Sequence, residues 1–214
     1  MAGLSVDRVR ANLDAVRAEI AAAGRSPDEV EILAAVKYVD IGDLGALAEA
    51  GIALVGENRA QELVAKVERW PGRFQWDFIG HLQSRRVKQI VPHVRLIQTL
   101  ASDSALRQLE RHADASTEVL IEVNLAGEAS KSGVAPGELD AFLERAAGVV
   151  RVTGLMTMPP FTEDSEASRP YFARLRELAH ERGLERLSMG TTQDFAVAVQ
   201  EGATIVRIGT RLYA

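Results

Sequence analysis

The sequence predicts a single (β/α)8 barrel of the TIM type preceded by one extra helix, and three observations predict it. Short apolar runs alternate with helix-period segments along almost the whole chain. The runs carry little polar face, as strands buried on both sides require. Counted from EILAAVK onward there are about eight of them, the number that closes such a barrel. Strict alternation means α/β with a parallel sheet, and an open doubly wound sheet is the competing arrangement. Eight units in about 180 residues are compact against the ~250 of an ordinary barrel. An open sheet, however, gives the first helix and the eighth strand a less natural place.

Val6, Val9, Leu13, Val16 and Ile20 recur at spacings of three and four, an apolar stripe on a helix that ends at Gly24. After the Ser26-Pro27 turn, EILAAVK is the first strand. There follow a helix over 41–50, the strand IALVG, a helix over 57–69, the strand FQWDFIG, a helix near 83–91, the strand VRLIQTL, a helix over 103–113 and the strand TEVLIEVNL. A helix over 137–147, VVRVTGLM, a helix near 165–182, the short ERLSMG, a helix over 193–201 and ATIVRIG complete the series. Every strand but the last is followed by a helix. Trp70, Phe74, Trp76 and Phe78 are expected to pack around the third strand. No Pro/Ser linker, charge block or repeat interrupts the order, so residues 1–214 read as one domain.

Composition removes several function classes. The 214 residues are 47% hydrophobic, ample for a large core. There is no cysteine, which excludes disulfides, thiolate nucleophiles and Cys-ligated metal. Thirty acidic against 25 basic residues give a formal charge of −5, which argues against a nucleic-acid partner. The N-terminal MAGLSVDRVRANL is charged where a signal peptide is apolar, and no run approaches the roughly 18 apolar residues of a membrane span. A soluble, cytoplasmic monomer is expected.

In a barrel, chemistry belongs where strands end and βα loops begin. Lys37 ends the first strand; Glu57 and Asn58 follow the second, and His81 the third. Asn124 ends the fifth; Met156 and Thr157 follow the sixth; Ser188, Thr191 and Thr192 follow the seventh; Arg207, Gly209 and Thr210 close the eighth.

Only four lysines stand against 21 arginines, so each can be weighed. Lys66 and Lys88 lie in polar helical contexts and Lys131 in the loop EASKSG. Lys37 alone terminates an apolar strand, where desolvation favours the neutral amine that forms imines with carbonyl compounds. A lysine that snorkels to water, or one paired with Glu57, fits the same position. SMGTTQDF sets a glycine and two hydroxyls before a helix, with Thr191 or Thr192 as N-cap, and IVRIGT adds Gly209 and Thr210 on the adjacent strand. Loops after strands seven and eight are where barrels commonly hold phosphate, although glycine and threonine there also serve ordinary capping. Arg207, in an apolar strand, needs a partner. A salt bridge to Asp194 or Glu57 is one; the ring nitrogen of a pyridoxal phosphate held between lysine and phosphate cradle is another. His93, His112 and His180 are scattered with no metal-site spacing, and no metal is expected.

At these residues the sequence closely resembles the pyridoxal phosphate homeostasis protein family, single-domain relatives of the N-terminal barrel of alanine racemase. LAAVKYVD, GENRAQEL, WDFIGHLQS, IEVNLAGEASKSG, GLMTMPP, LSMGTTQDF and GATIVRIGT carry the resemblance across nearly the whole chain. It implies pyridoxal 5′-phosphate (PLP) as cofactor, with Lys37 as the imine lysine and Thr192, Gly209 and Thr210 on the phosphate. It further implies Arg207 near the pyridine nitrogen, with Asn58, His81 and Met156 lining the pocket. Lys131 would sit in a loop whose lysine assists cofactor transfer in relatives. The chain departs from the family at Arg85 and Arg86, where relatives carry Asn and Lys, and at the closing LYA, where relatives run through IFG into a polar tail. Roles tied to those positions are expected to be lost or altered.

A cation near the pyridine nitrogen disfavours its protonation and weakens the ring as an electron sink. Racemisation also needs a second acid/base, and of Tyr38, Tyr171 and Tyr213 only Tyr38 is close in sequence to Lys37. The resemblance therefore implies a PLP-binding homeostasis protein without substantial turnover, serving apo PLP-dependent enzymes. A PLP-dependent amino-acid racemase and a Schiff-base aldolase for phosphorylated sugars are the alternatives.

Overall fold

In the computed structural model, which describes residues 3–128 and 132–213, eight parallel strands close into a barrel in chain order. They are β1 (Glu31–Ala35), β2 (Leu54–Glu57), β3 (Gln75–Phe78), β4 (Leu96–Leu100), β5 (Glu118–Glu122), β6 (Arg151–Met156), β7 (Arg186–Thr191) and β8 (Ile205–Ile208). The last strand meets the first in the register Glu31↔Ile205 to Ala34↔Ile208. The barrel is thus the one the alternation predicts. No helix among the described residues is long and apolar enough to cross a membrane.

The leading helix α1 (Val6–Ala22) is capped by Ser5, whose hydroxyl accepts from the Arg8 N–H, and it buries Val9, Leu13, Val16 and Ile20. Between strands run α2 (Leu44–Glu49), α3 (Ala60–Arg69), α4 (Val87–Ile90), α5 (Asp103–His112), α6 (Leu139–Ala146), α7 (Arg169–His180) and α8 (Phe195–Gln200). Several helices start two or three residues later than the periodicity predicts, because the chain needs a turn to leave the barrel rim. The segment near 83–91 is a short helix flanked by two 3-10 turns, and Pro92 lies in the second. A one-turn helix, α9 (Thr210–Tyr213), follows β8, where none is predicted. It docks on α1, with Asn12 Nδ2 donating to the Leu212 carbonyl and Arg211 paired with Glu19.

Two apolar layers result from the period-two alternation. Outward-facing residues join the helices in the main core, including Phe172, Leu175 and Leu178 of α7. Leu33, Leu96, Leu120, Met156 and Ile205 form a plug inside the barrel. Each such side chain contributes about 1.5–3 kcal/mol of burial. Phe74, Trp76 and Phe78 pack around β3, with the rings of Phe74 and Trp76 edge-on at 5.7 Å; Trp70 turns toward α2 and donates to the Ile41 carbonyl.

At the N-terminal mouth of the barrel the plug rests on an ionic cluster. Arg95 donates to both oxygens of Glu31 (3.0 and 2.7 Å) and of Asp77 (3.0 and 2.9 Å). Arg186 bridges Glu31 (2.8 Å) and Glu118 (2.9 Å). Burial alone raises the Glu31 carboxyl, but its bonds to Arg95 and Arg186 outweigh this and hold it below the ordinary range. This end of a barrel serves stability, whereas the opposite end serves ligands.

Candidate functional site

The C-terminal ends of the strands open onto a cavity of about 480 Å³, within the size range of small-molecule sites. All nine residues singled out for the cofactor line it: Lys37 and Asn58 beyond β1 and β2, His81 beyond β3, Met156 at the end of β6, Thr191 and Thr192 from the β7 side, and Arg207, Gly209 and Thr210 from β8. Asn124 and Thr157, also placed at this rim from sequence, are occupied in local structure. Asn124 accepts from Gly127 N–H and donates to the Glu128 carbonyl; Thr157 donates to the Val123 carbonyl.

Lys37 lies two residues past β1 and is exposed, its Nζ 4.9 Å from the centroid of the Tyr38 ring. The apolar burial expected of a strand-end lysine is therefore absent, because the chain turns at Lys37 and Tyr38, just after the buried Val36. A pairing with Glu57 is not formed either. Glu57 Oε2 accepts from Lys66 Nζ at 2.6 Å, and Oε1 accepts from the Asn58 and Arg59 N–H groups at 2.7 and 3.2 Å. Lys66 itself, expected on a polar helix surface, is buried. It follows Ala60 and Leu63 at three-residue intervals on the barrel-facing side of α3, and it also donates to the Val36 carbonyl at 2.8 Å. The buried pair thus holds the backbone just ahead of Lys37.

Neither carboxylate weighed from sequence pairs with Arg207. The guanidinium is buried at the cavity floor and donates to Ser188 Oγ (2.5 Å), the Thr157 carbonyl (3.0 Å) and Met158 Sδ (2.9 Å). Burial lowers its pKa to about 10, while Asp194 and Glu122 act only through their charge in the opposite sense. It remains cationic at neutral pH. Ser188, placed after the seventh strand from sequence, lies within β7 and faces the barrel interior.

The turn between β7 and α8 differs from the prediction in its cap. Asp194, not Thr191 or Thr192, occupies the N-cap position. Its Oδ1 accepts from the Thr191 N–H (2.7 Å) and hydroxyl (3.1 Å), and its Oδ2 accepts from Ser168 Oγ (2.8 Å). Gly190 permits the turn: its φ is +88°, and a Cβ there would lie 2.5 Å from that of Ala198. Thr192, released from capping, accepts the Gly209 N–H on its hydroxyl at 3.3 Å, tying the two loops together.

Glu122 and Tyr213 line the cavity without having been assigned to it from sequence. Glu122, the last residue of β5, stands across the barrel from β1, since three strands lie between them either way. Its Oε1 accepts from Ser132 Oγ at 2.7 Å and its Oε2 is buried without a partner. Burial pushes this carboxyl up, against the Ser132 bond and the positive charges of Arg207 and His81. Tyr213 is the second tyrosine of the cavity, beside Tyr38; its hydroxyl donates to the Ala35 carbonyl at 3.0 Å, and burial and the Glu57 charge both raise its pKa. Lys131 lies outside the described residues. Among the described residues no group of three or more His, Asp or Glu is arranged to hold a metal.

Buried polar atoms are normally satisfied; of the three that are not among the described residues, Asn58 Oδ1, Glu122 Oε2 and Thr153 Oγ1, the first two belong to residues lining this cavity, as a site built for a polar ligand requires. An exposed primary amine, a hydroxyl–amide pair and a fixed guanidinium suit an aldehyde that also carries an anion. The fold is a barrel of the kind found in alanine racemase. Alanine racemase of Corynebacterium glutamicum shares the fold at a TM-score of 0.72 and 18% identity, over 99% of this chain and 62% of that one. No protein-family model matches the chain. The pyridoxal phosphate homeostasis protein of Aquifex aeolicus is 38% identical over 97% of this chain and 96% of its own. PipY of Synechococcus elongatus, solved with PLP bound, superimposes at a TM-score of 0.82 with 27% identity, over 96% of this chain and all of that one. The chain belongs to the pyridoxal phosphate homeostasis protein family.

Proposed function

We propose that this chain binds PLP as an imine on Lys37 and takes part in intracellular PLP homeostasis, buffering the cofactor and supplying it to apo PLP-dependent enzymes. The observation that carries this reading is the convergence of Lys37, Thr192, Gly209 and Arg207 on one cavity. The Lys37 amine would supply the nucleophile for the aldehyde of the cofactor. Thr192, Gly209 and Thr210 would hold the phosphate, and Arg207 would hold the ring end of the cofactor. Bound PLP supplies an electrophilic carbonyl that condenses reversibly with amines.

Two features support a carrier with little turnover over a racemase. Arg207 is a buried cation, which disfavours a protonated ring nitrogen. Tyr213 holds its proton firmly and spends it on the Ala35 carbonyl, so it is a poor base. Borohydride reduction of the PLP-loaded protein followed by peptide mapping tests the reading. A pyridoxyl group on the Lys37 peptide, and loss of the visible band in Lys37→Ala, are expected; an unmodified Lys37 peptide would overturn it. Faster reactivation of an apo PLP enzyme by the loaded protein than by an equal concentration of free PLP tests the supply role.

A further inference from the structure

An unbroken line of hydrogen bonds crosses the barrel interior from the ionic cluster to the cavity. Arg95 donates to both oxygens of Asp77; Asp77 Oδ2 accepts from Gln98 Nε2 at 2.8 Å; Gln98 Oε1 accepts from Ser188 Oγ at 2.6 Å; Ser188 Oγ accepts from Arg207 Nη1. Asp77, Gln98, Ser188 and Arg207 sit on β3, β4, β7 and β8, and all four are buried. None of the contacts follows from sequence spacing. Each link also has only one polarity open to it.

A carboxylate can only accept, so Asp77 fixes the amide of Gln98 with its NH2 toward Asp77 and its oxygen toward Ser188. That oxygen takes the single hydroxyl proton of Ser188. Ser188 is then left with lone pairs alone, which a guanidinium, having donors and no acceptor, requires. We propose that Asp77, Gln98 and Ser188 form a polarised relay that holds the Arg207 guanidinium toward the cavity, making them positioning residues for whatever Arg207 contacts. Its bearing on the cofactor rests on the reading that Arg207 faces PLP. The relay itself does not depend on that reading.

With Asn at position 77 the fixed acceptor is lost. The Gln98 amide is free to reverse, and the Ser188 proton then competes with Arg207 for space. Ser188→Ala removes the acceptor of Nη1 directly, leaving only the Thr157 carbonyl and Met158 Sδ on Nη2. Glu118→Gln weakens the same ionic cluster through Arg186 without touching the relay. The test has two arms, run on the folded full-length variants.

In the first arm, nitrogen-detected NMR of the ligand-free protein follows the Arg207 side chain. Wild type and Glu118→Gln are expected to show distinct Nη signals, and Asp77→Asn and Ser188→Ala a single averaged one. In the second arm, PLP is added and the visible band is titrated with pH. Its midpoint is expected to move in Asp77→Asn and Ser188→Ala and to stay in place in Glu118→Gln. Arg207 signals in Asp77→Asn that superimpose on wild type would overturn the relay, as would equal changes in all three variants. Absence of any PLP band in wild type would overturn the functional reading, while the ligand-free arm still decides the relay. Should Asp77→Asn not fold, Gln98→Met, which keeps volume and removes both bonds, is expected to give the same averaging.

Discussion

Lys66 Nζ lies 2.6 Å from Glu57 Oε2 with both side chains buried, and the same ammonium holds the carbonyl of Val36, the residue before Lys37. Removing one member of a buried ion pair leaves the other uncompensated, at a cost of about 3–5 kcal/mol. Lys66→Met and Glu57→Gln are each expected to lose stability in that range, measured by chemical denaturation. The double variant should lose less than the sum of the two, because the second substitution removes the orphaned charge.

The Glu122 carboxyl titrates above its ordinary range in the folded protein. A group raised in this way contributes stability that is full below its unfolded pKa and is lost as pH rises through the folded one. Glu122→Gln mimics the neutral form at every pH. It should therefore melt above wild type at pH 8, and the gap should close on acidification toward pH 4.

Glu31 carries the opposite sign. Its folded pKa is lowered by Arg95 and Arg186, so its contribution is present above the unfolded value and is lost as pH falls through the folded one. Glu31→Gln should melt below wild type at pH 7. The difference should shrink as acid protonates the wild-type carboxyl, a trend that thermal melts across pH 7 to 3 would reveal.

Thr192 joins the two loops assigned to phosphate through its bond from Gly209 N–H. Thr192→Val keeps the volume and removes the hydroxyl. A hydrogen bond to a charged group is worth about 1.5–3 kcal/mol, so PLP affinity should fall by roughly tenfold or more while affinity for unphosphorylated pyridoxal changes little. Paired absorption titrations with the two ligands give the comparison.

The order of elements and the barrel were legible because alternating periodicity is a local signal, and so was the rim that gathers Lys37, Asn58, His81 and Arg207. What was not legible depends on approach between distant strands. Gln98 and Ser188 are 90 residues apart and look like unremarkable polar residues until the barrel brings them to 2.6 Å. Glu122 reads as one more charge in a strand until burial isolates its second oxygen. Lys66 was recoverable: with Ala60 and Leu63 it shares the inward face of α3, a spacing outweighed by its charge. Asp194 rather than Thr191 or Thr192 stands at the N-cap position of α8, and its carboxylate bonds back to Thr191 and across to Ser168 instead of to the first N–H groups of the helix, contacts that the spacing of TTQD does not reveal.

Pairing of β1 with β8 also sets the moment at which the cavity first exists. The Tyr213 hydroxyl bonds the Ala35 carbonyl across 178 residues of chain, and the lysine side of the rim is closed only by the last strand and the turn after it. During synthesis, chain emerging ahead of β8 has Lys37 but neither Arg207 nor the Gly209 amide. Such long-range closure comes late in folding. A chain that has not yet paired β8 with β1 therefore has no complete cavity, and the site forms as one unit with the closure of the barrel.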